Sequence, residues 1–314
     1  MFSTFIRLGA ALSCAAMLCS CGGNSVSETQ QSTPEGIYTG KYDVKLTAAD
    51  GTVETPCTES VITFAVATGS IYTFYPSTSN PAVLNAADYG ALSFGGGVMS
   101  SSLLEVTAPA AVPFTAPASD PTETNPYAGI AGQYSGLCDY FGGNVAAANM
   151  TGGYNTGVNL AETLTFSAAD FRTWFNTTQT DSNTLVYDAD YQGVQSLSTL
   201  AGTYNGYVST SENSELATFT IGPASVPANA GNSLGVSILT GTGASGCTYT
   251  GSVSPLYKGN GYTVSMTSGS GAACKLPQTQ FGGLMYLNTK TNILYSFAPN
   301  AGHTDGVIFS GTRS

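Results

Sequence analysis

The chain has 314 residues, of which only 9% are charged, with 8 basic and 19 acidic side chains and a formal net charge of −11. The low charge, together with 38 Gly, 18 Tyr and 14 Phe, favours turns and β-strands over helices rich in Glu, Lys and Leu. The acidic balance argues against nucleic-acid binding, and a hydrophobic fraction of 42% argues against disorder. We therefore predict a folded all-β protein.

Residues 1–20 have the organisation expected of a secretory signal peptide. The apolar stretch 8–18 is shorter than the roughly 20 residues that span a bilayer, and it ends in Leu18-Cys19-Ser20-Cys21. This ending resembles the lipobox, and the resemblance implies cleavage before Cys21, a diacylglycerol on its thiol and acylation of the new amino group. Several acyl chains anchor a protein stably in a membrane. The alternative is an ordinary signal peptide with an incidental cysteine.

Gly22 follows Cys21, where retention in the inner membrane typically requires Asp, so the resemblance implies an outer-membrane lipoprotein on the periplasmic or cell-surface face. The segment 21–34 is polar and typical of a flexible tether. We predict a signal peptide at 1–20, a tether at 21–34, an N-terminal β-rich domain at 35–198 and a C-terminal β-barrel domain at 199–314.

The N-terminal domain contains seven segments that are typical of strands, at 35–48, 61–67, 71–75, 91–94, 98–107, 158–166 and 183–187. Thr68-Gly69-Ser70 predicts a tight hairpin between the second and third of them. The segment 109–126 contains five prolines and predicts a long loop, because proline cannot pair inside a sheet. A helical turn is predicted at 167–175, with Ser167 as its N-cap.

The C-terminal domain divides into eight short strands separated by turn residues, with no helical pattern between them. This pattern favours a small antiparallel up-and-down barrel of lipocalin size, and a two-sheet sandwich is the alternative. The predicted strands are 202–209, 215–222, 233–240, 245–254, 260–267, 280–288, 292–298 and 306–311.

A pattern Gly-x-Tyr-x-Gly recurs at 36–40, 132–136 and 202–206. Two copies lie where we predict the two domains to begin, and the pattern indicates a strand with Tyr on one face and Gly where the backbone packs closely. The alternative is a chance repeat in a chain rich in Gly and Tyr.

Four cysteines remain after removal of the signal and lipidation of Cys21: Cys57, Cys138, Cys247 and Cys274. An even number in an exported chain indicates disulfides, and four cysteines allow three connectivities. We favour Cys247–Cys274, because both lie in one compact segment, which leaves Cys57–Cys138. A metal site is disfavoured because the chain has no CxxC motif and a single histidine.

The chain resembles uncharacterised exported lipoproteins of Gram-negative bacteria. The resemblance is carried by the lipobox, by the motif at 35–40 (EGIYTG), by the motif at 200–206 (LAGTYNG), and by the short segments 246–251 and 306–309. These motifs are structural, so the resemblance implies two β-rich modules and no particular activity.

A search for catalytic residues identifies no catalytic, cofactor-binding or metal-binding site. His303 and Asp305 lie in a predicted turn, and no Gly-x-Ser-x-Gly motif supplies a nucleophile for them. Acidic residues that could act in pairs or bind Ca²⁺ are interpreted as solvated surface charges: Asp120, Glu123, Asp181, Asp188 and Asp190. Lysines near strand ends are interpreted as protection of sheet edges: Lys41, Lys45 and Lys290.

We therefore predict a non-enzymatic lipoprotein without cofactors that binds a protein, a glycan or a small apolar ligand, or serves as an envelope component. Large side chains on both faces of 71–75 and 284–287 are interpreted mainly as core. The alternatives are a lipocalin-like carrier with an apolar ligand in the C-terminal barrel, and a hydrolase that uses two carboxylates. The carrier would be excluded if the side chains expected to face the barrel interior pack it solid, and it would be supported by an apolar cavity on the order of a few hundred Å³. These side chains are Phe219, Ile221, Val236, Ile238, Tyr249 and Val264.

Overall fold

The computed structural model describes residues 33–47, 51, 53–109, 144–166, 178–193, 196–225 and 235–314. The signal peptide, the lipobox, residues 110–126 of the Pro-rich segment, the second Gly-x-Tyr-x-Gly copy and the predicted helical turn at 167–175 lie outside these ranges. Ser32–Ser314 is one compact unit. It contains two antiparallel β-barrels, as expected for an all-β chain with two modules.

The first barrel is built from successive strands that each pair with the next long strand in the chain. The short strand β5 pairs only with β6, and the pairings β4–β6 and β9–β1 close a ring of eight strands. The strands are β1 Gly36–Thr47, β2 Val53–Val66, β3 Ser70–Pro76, β4 Leu84–Ala91, β5 Ser93–Gly95, β6 Val98–Thr107, β7 Asn144–Asn155, β8 Asn159–Phe166 and β9 Thr178–Tyr187.

The sequence prediction missed two of these strands, β4 and β7. Inward positions of β4 are Ala86, Asp88 and Gly90, and those of β7 include Ala146 and Ala148. Small and acidic residues at these positions remove the alternation of large apolar side chains by which a strand is recognised. The predicted hairpin at 68–70 is present, and Gly69 at its tip has a φ of +84° and donates to the Val66 carbonyl at 2.9 Å.

The second barrel confirms the predicted eight-stranded up-and-down architecture. Pairing of the first strand with the last closes it, so it is not a two-sheet sandwich. The predicted bounds of the first and sixth strands match the structure, and the other strands are displaced by a few residues. The strands are β10 Gly202–Ser209, β11 Ser214–Ile221, β12 Ser237–Gly243, β13 Thr248–Pro255, β14 Tyr262–Ser268, β15 Gln280–Asn288, β16 Ile293–Pro299 and β17 Gly306–Arg313.

The Gly-x-Tyr-x-Gly copies at 36–40 and 202–206 occupy the same place at the start of each barrel. Tyr38 in β1 and Tyr204 in β10 are both fully buried. The Tyr38 hydroxyl donates to the Pro34 carbonyl at 2.9 Å, and the Tyr204 hydroxyl donates to the Leu200 carbonyl at 2.7 Å. Each tyrosine therefore fixes the segment four residues before it to the end of its own barrel.

The two barrels share an apolar interface between their outer walls. Phe64 and Phe74 of the first barrel lie 6.1 Å from Tyr286 and 6.2 Å from Tyr295 of the second, measured between ring centroids. The hydroxyl of Tyr295 also donates to the Pro81 carbonyl at 2.9 Å. This interface explains the large side chains on both faces of β3 and β15, because one face lines a barrel and the other lies against the neighbouring barrel.

Candidate functional site

A pocket of about 820 Å³ lies between the two barrels, beside the segment that connects them. Aromatic and aliphatic side chains form much of its wall, with hydroxyl and amide groups from Thr156, Gln192 and Ser198 between them. The residues that shape it come from both barrels and from the connecting segment: Glu35, Tyr187, Tyr191, Leu197, Leu256, Tyr257 and Lys258. Such a position between two modules is common for small-molecule sites.

Tyr191 is placed in the pocket wall by a 3₁₀ turn, Ala189–Gln192. The Asp188 side chain begins this turn by accepting from the Asp190 backbone N–H at 3.0 Å. The Tyr191 ring is buried and meets Phe64 edge-on at 5.6 Å. Gly259, with a φ of +87°, passes so close to this ring that a Cβ at that position would lie 2.3 Å from it. The loop after β13 therefore requires glycine in order to close over Tyr191.

An ion pair between the barrels neutralises the charge in the pocket wall. Lys258 Nζ lies 2.9 Å from Glu35 Oε2, and the Tyr191 hydroxyl donates to Glu35 Oε1 at 2.5 Å. Burial, followed by the hydrogen bond to Glu35, raises the pKa of the Tyr191 phenol, so the phenol remains a neutral donor. Among the described residues of the wall, Glu35 and Lys258 are the charged ones, so this described part of the wall carries no net charge.

These features suit binding of an uncharged molecule with an apolar or ring-shaped body. Tyr257 is 95% exposed and its ring is available for contact with a ligand. The hydroxyl and amide groups can orient a polar end of the ligand. The sequence analysis missed this site, because it treated the segment between the predicted strands 245–254 and 260–267 only as turn residues. The one local signal was an exposed aromatic, Tyr257, next to a turn.

The interior of the second barrel is filled by side chains. Phe219 at its centre lies 4.4 Å from Phe309 and 5.5 Å from Tyr249 between ring centroids. Phe219, Ile221, Tyr249 and Val264 are buried inside as expected. The expectation was wrong for Ile238, which is 64% exposed, and for Val236, which is half-buried outside the strand. The register of β12 turns Leu239 inward, and successive residues of a strand face opposite sides.

The predicted disulfide between Cys247 and Cys274 is confirmed, with a Cα–Cα distance of 4.7 Å. Both cysteines are buried in the core of the second barrel. The backbone of Cys57 lies in β2 opposite Val44, and its side chain and Cys138 are outside the described residues, so Cys57–Cys138 stays a prediction. Cys21, the predicted lipidation site, is also outside the described residues.

His303 and Asp305 lie in the turn between β16 and β17 and have separate partners. The His303 ring packs edge-on against Tyr89 at 5.1 Å between centroids. The Asp305 carboxylate accepts from the Ser211 hydroxyl at 2.6 Å and from the Gly306 N–H at 2.7 Å. Asp305 therefore fixes two turns at one end of the second barrel.

Three acidic residues differ from their interpretation as solvated surface charges, and Lys290 differs from its interpretation as edge protection. Asp181 is 1% exposed and faces the interior of the first barrel, so it is not a solvated surface charge. Asp188 and Asp190 both pair with Lys290, at 3.3 and 3.1 Å, and this lysine joins the connecting segment to the second barrel.

The interpretation of Lys41 and Lys45 as edge protection was also wrong. Their strand, β1, pairs on one side with β2 and on the other with β9. Closure of the sheet leaves β1 with no free edge, so these lysines have no edge to protect.

The fold and the pocket define a protein of two tandem eight-stranded barrels with a cavity at their junction. No protein-family model, no curated protein and no solved structure matches this chain. None of the helices in the described part of the chain meets the length and hydropathy that a transmembrane span requires. The described residues also contain no group of three or more His, Cys, Asp or Glu side chains suited to a metal ion.

Proposed function

We propose that this protein is an outer-membrane-anchored lipoprotein that binds a small, uncharged and largely apolar molecule in the pocket between its barrels. The observation that carries the proposal is the pocket itself. It has a volume of about 820 Å³, its wall contains Tyr187, Tyr257 and Leu256, and its charges are paired. A concave apolar site with a few polar groups is the usual form of a small-molecule site.

The position of the pocket supports a ligand from the membrane environment. Thr33, which lies in the pocket wall, is near the C-terminal end of the predicted tether at 21–34. The Thr33 carbonyl accepts from the Thr156 hydroxyl at 2.9 Å, so the chain leaves the barrels at the pocket. A segment from Cys21 to Thr33 spans about 40 Å when fully extended, which keeps the pocket close to a lipid anchor at Cys21.

The packed interior of the second barrel argues against the lipocalin-like carrier. Phe219, Phe309 and their neighbours occupy the barrel axis, so a ligand there would have to displace packed aromatic rings. Binding is also favoured over hydrolysis. Among the described wall residues, Glu35 is the one carboxylate, and Tyr191 and Lys258 already engage both of its oxygens.

A titration with N-phenyl-1-naphthylamine, an uncharged apolar fluorophore, tests the pocket. The purified protein is expected to enhance the fluorescence of this probe saturably. Tyr257→Ala and Leu256→Asp are expected to weaken binding by about tenfold or more, because they remove apolar contacts worth about 1.4 kcal/mol. Tyr207→Ala, which alters a half-buried tyrosine on the wall of β10, is the matched control and should bind as the native protein does. Equal binding by all the variants would refute the pocket as the site.

The anchor is tested separately. Cys21→Ala is expected to release the protein from the membrane fraction and to abolish acyl labelling, because it removes the only thiol that the lipobox resemblance assigns to lipid. Unchanged membrane association of this variant would contradict the lipoprotein proposal and leave the pocket test unaffected.

A further inference from the structure

Three exposed apolar side chains lie around the pocket, and we call them the apolar rim. They are Val158, Val186 and Tyr257, which are 58%, 63% and 95% exposed. Tyr257 is itself part of the pocket wall. Val158 follows the wall residue Gly157 in the chain. Val186 precedes the wall residue Tyr187. Most large apolar side chains of both barrels are buried, so exposed ones gathered at one site indicate contact with another surface.

The two valines of the rim are neighbours on the first barrel. The Tyr187 N–H donates to the Val158 carbonyl at 2.9 Å, and Val186 lies opposite Asn159 in the pairing of β8 with β9. The side chain of Val186 faces outward, because the preceding residue, Leu185, is buried in the barrel interior. Both valines therefore lie on the outer surface, at the end of the barrel where β9 ends and β1 begins.

The described chain begins at this same end of the first barrel. The Thr33 carbonyl accepts from the Thr156 hydroxyl at 2.9 Å, and Thr156 lies in the turn that contains Val158. The segment from Cys21 to Thr33 reaches about 40 Å at full extension. A lipid anchor at Cys21, as proposed above, therefore keeps the apolar rim within reach of the bilayer surface.

Two groups of ion-paired side chains flank the rim. Lys258 Nζ lies 2.9 Å from Glu35 Oε2, and Lys290 Nζ lies 3.3 Å from Asp188 and 3.1 Å from Asp190. The chain as a whole has a net charge of −11, and an anionic lipid surface repels such a protein. This site therefore offers a bilayer apolar contact rather than electrostatic attraction.

The size of the rim favours a bilayer over a protein partner. Three such side chains expose on the order of 400 Å² of apolar surface, whereas a stable protein interface buries about 800 Å² on each side. A tethered surface needs less area, because the anchor keeps the local concentration of the rim at the bilayer high. Tyrosine is also common at the lipid–water boundary, where its ring meets lipid and its hydroxyl meets water.

We propose that the apolar rim rests on the bilayer to which the protein is anchored, with Val158, Val186 and Tyr257 among the lipid headgroups. The contact rests on the function proposed above, because it requires the lipid anchor at Cys21. It places the pocket at the lipid–water boundary. An apolar ligand then passes between the bilayer and the pocket without crossing bulk water, where its apolar surface is poorly solvated.

Quenching by brominated lipid measures this contact. The full chain with its lipid anchor is placed in phosphatidylcholine vesicles whose acyl chains carry bromine, which quenches tryptophan emission at close range. Val158→Trp places a reporter in the rim. Leu216→Trp is the matched control, because Leu216 is also 58% exposed but lies near the start of β11, at the end of the second barrel away from the pocket. The native chain, with its single tryptophan, Trp174, gives the baseline.

The emission added by Val158→Trp is expected to fall in brominated vesicles and to shift to shorter wavelength, whereas that of Leu216→Trp should be unchanged. Val186→Asp, combined with Val158→Trp, should restore the emission, because a carboxylate is costly to bring among apolar groups. Leu216→Asp in the same background should leave the quenching as it is. Tyr257→Trp is a second reporter, from the other barrel, and should be quenched even if Val158→Trp does not fold.

Equal quenching of the rim and control reporters, or no quenching of either rim reporter in vesicle-bound protein, would overturn the proposal. Cross-linked dimers that replace the quenching and that Val186→Asp abolishes would also overturn it, because the rim would then join two copies of the chain. A native chain that does not float with the vesicles would refute the anchor together with this contact. Val186→Asp should still bind N-phenyl-1-naphthylamine in solution, so the pocket is tested independently of the rim.

Discussion

Gly206 is the position at which a single methyl group is expected to do most damage to the second barrel. This residue ends the Gly-x-Tyr-x-Gly copy in β10 and lies opposite Gly311 in the pairing of β10 with β17 that closes the barrel. A Cβ at this position would lie 1.9 Å from the Ser310 carbonyl oxygen and 2.4 Å from Gly311 Cα. Both atoms belong to backbone, so no side-chain rotation relieves the clash.

The magnitude follows from what has to move. Inserting a methyl group into a packed interior costs about 1–3 kcal/mol, and the upper end applies to Gly206→Ala because the closing strand pair must separate locally. A loss of about 3 kcal/mol corresponds to a fall in the unfolding temperature of roughly 10 °C for a chain of this size.

Gly40→Ala is the matched control, since Gly40 ends the corresponding copy in β1. There a Cβ would meet Leu185 Cδ2 at 2.8 Å, the end of a side chain that can rotate, and no backbone atom lies closer than 3.5 Å. This variant is expected to lose less than about 1 kcal/mol. Scanning calorimetry and urea unfolding of both variants measure the difference. Equal losses, or a stable Gly206→Ala variant, would refute the reasoning that backbone contact distinguishes the two glycines.

Two further predictions concern the buried tyrosine that begins each barrel and the disulfide of the second barrel. Tyr38→Phe and Tyr204→Phe should each lower the free energy of unfolding by about 1 kcal/mol, because each leaves a carbonyl without its buried hydroxyl donor. Urea unfolding measures the loss, and Tyr257→Phe, at an exposed position, is the control that should have no effect. Replacing Cys247 and Cys274 together by Ala should lower the free energy of unfolding by about 3 kcal/mol, since the disulfide closes a loop over a separation of 27 residues. Peptide mapping without reductant checks the bond itself, and a stability unaffected by the double substitution would contradict the loop-closure argument.

The second barrel was predictable in outline because its strands follow a simple rule. In β11, buried Ala217, Phe219 and Ile221 alternate with outward residues, and Gly222-Pro223 ends the pattern. Each barrel strand has one face against a core, so alternation appears in the sequence itself. Strand β12 was predicted a few residues too early, at 233–240, and the structure includes Gly241 and Gly243 in it. The Phe219 ring occupies the space that a Gly241 side chain would need.

The first barrel was harder because its interior is partly polar. Asp88 and Glu105 stand at inward positions where large apolar residues are expected, and β4 went unrecognised as a result. One signal was available: Glu162 lies between Leu160 and Leu164 with the spacing of a single buried face. That spacing indicates an inward carboxylate, and inward carboxylates on several strands of a barrel must meet near its axis.

The sequence by itself determined the local structure: the all-β class, the approximate positions of most strands, the tight hairpin at 68–70 and the tyrosine-bearing strands that begin each barrel. These local features depend on residues that lie a few positions apart in the chain, so the sequence alone is enough to predict them. Only the tertiary structure decided that the first module also closes into a ring, and that the outer faces of β3 and β15 lie against the other barrel.

The pocket is also a feature that only the tertiary structure decided. Glu35 and Lys258 meet across a separation of 223 residues, and no local pattern records that contact. Strand alternation fixes which side chains share a face, but what covers that face depends on how two closed barrels dock, and docking is set by surfaces assembled from distant segments.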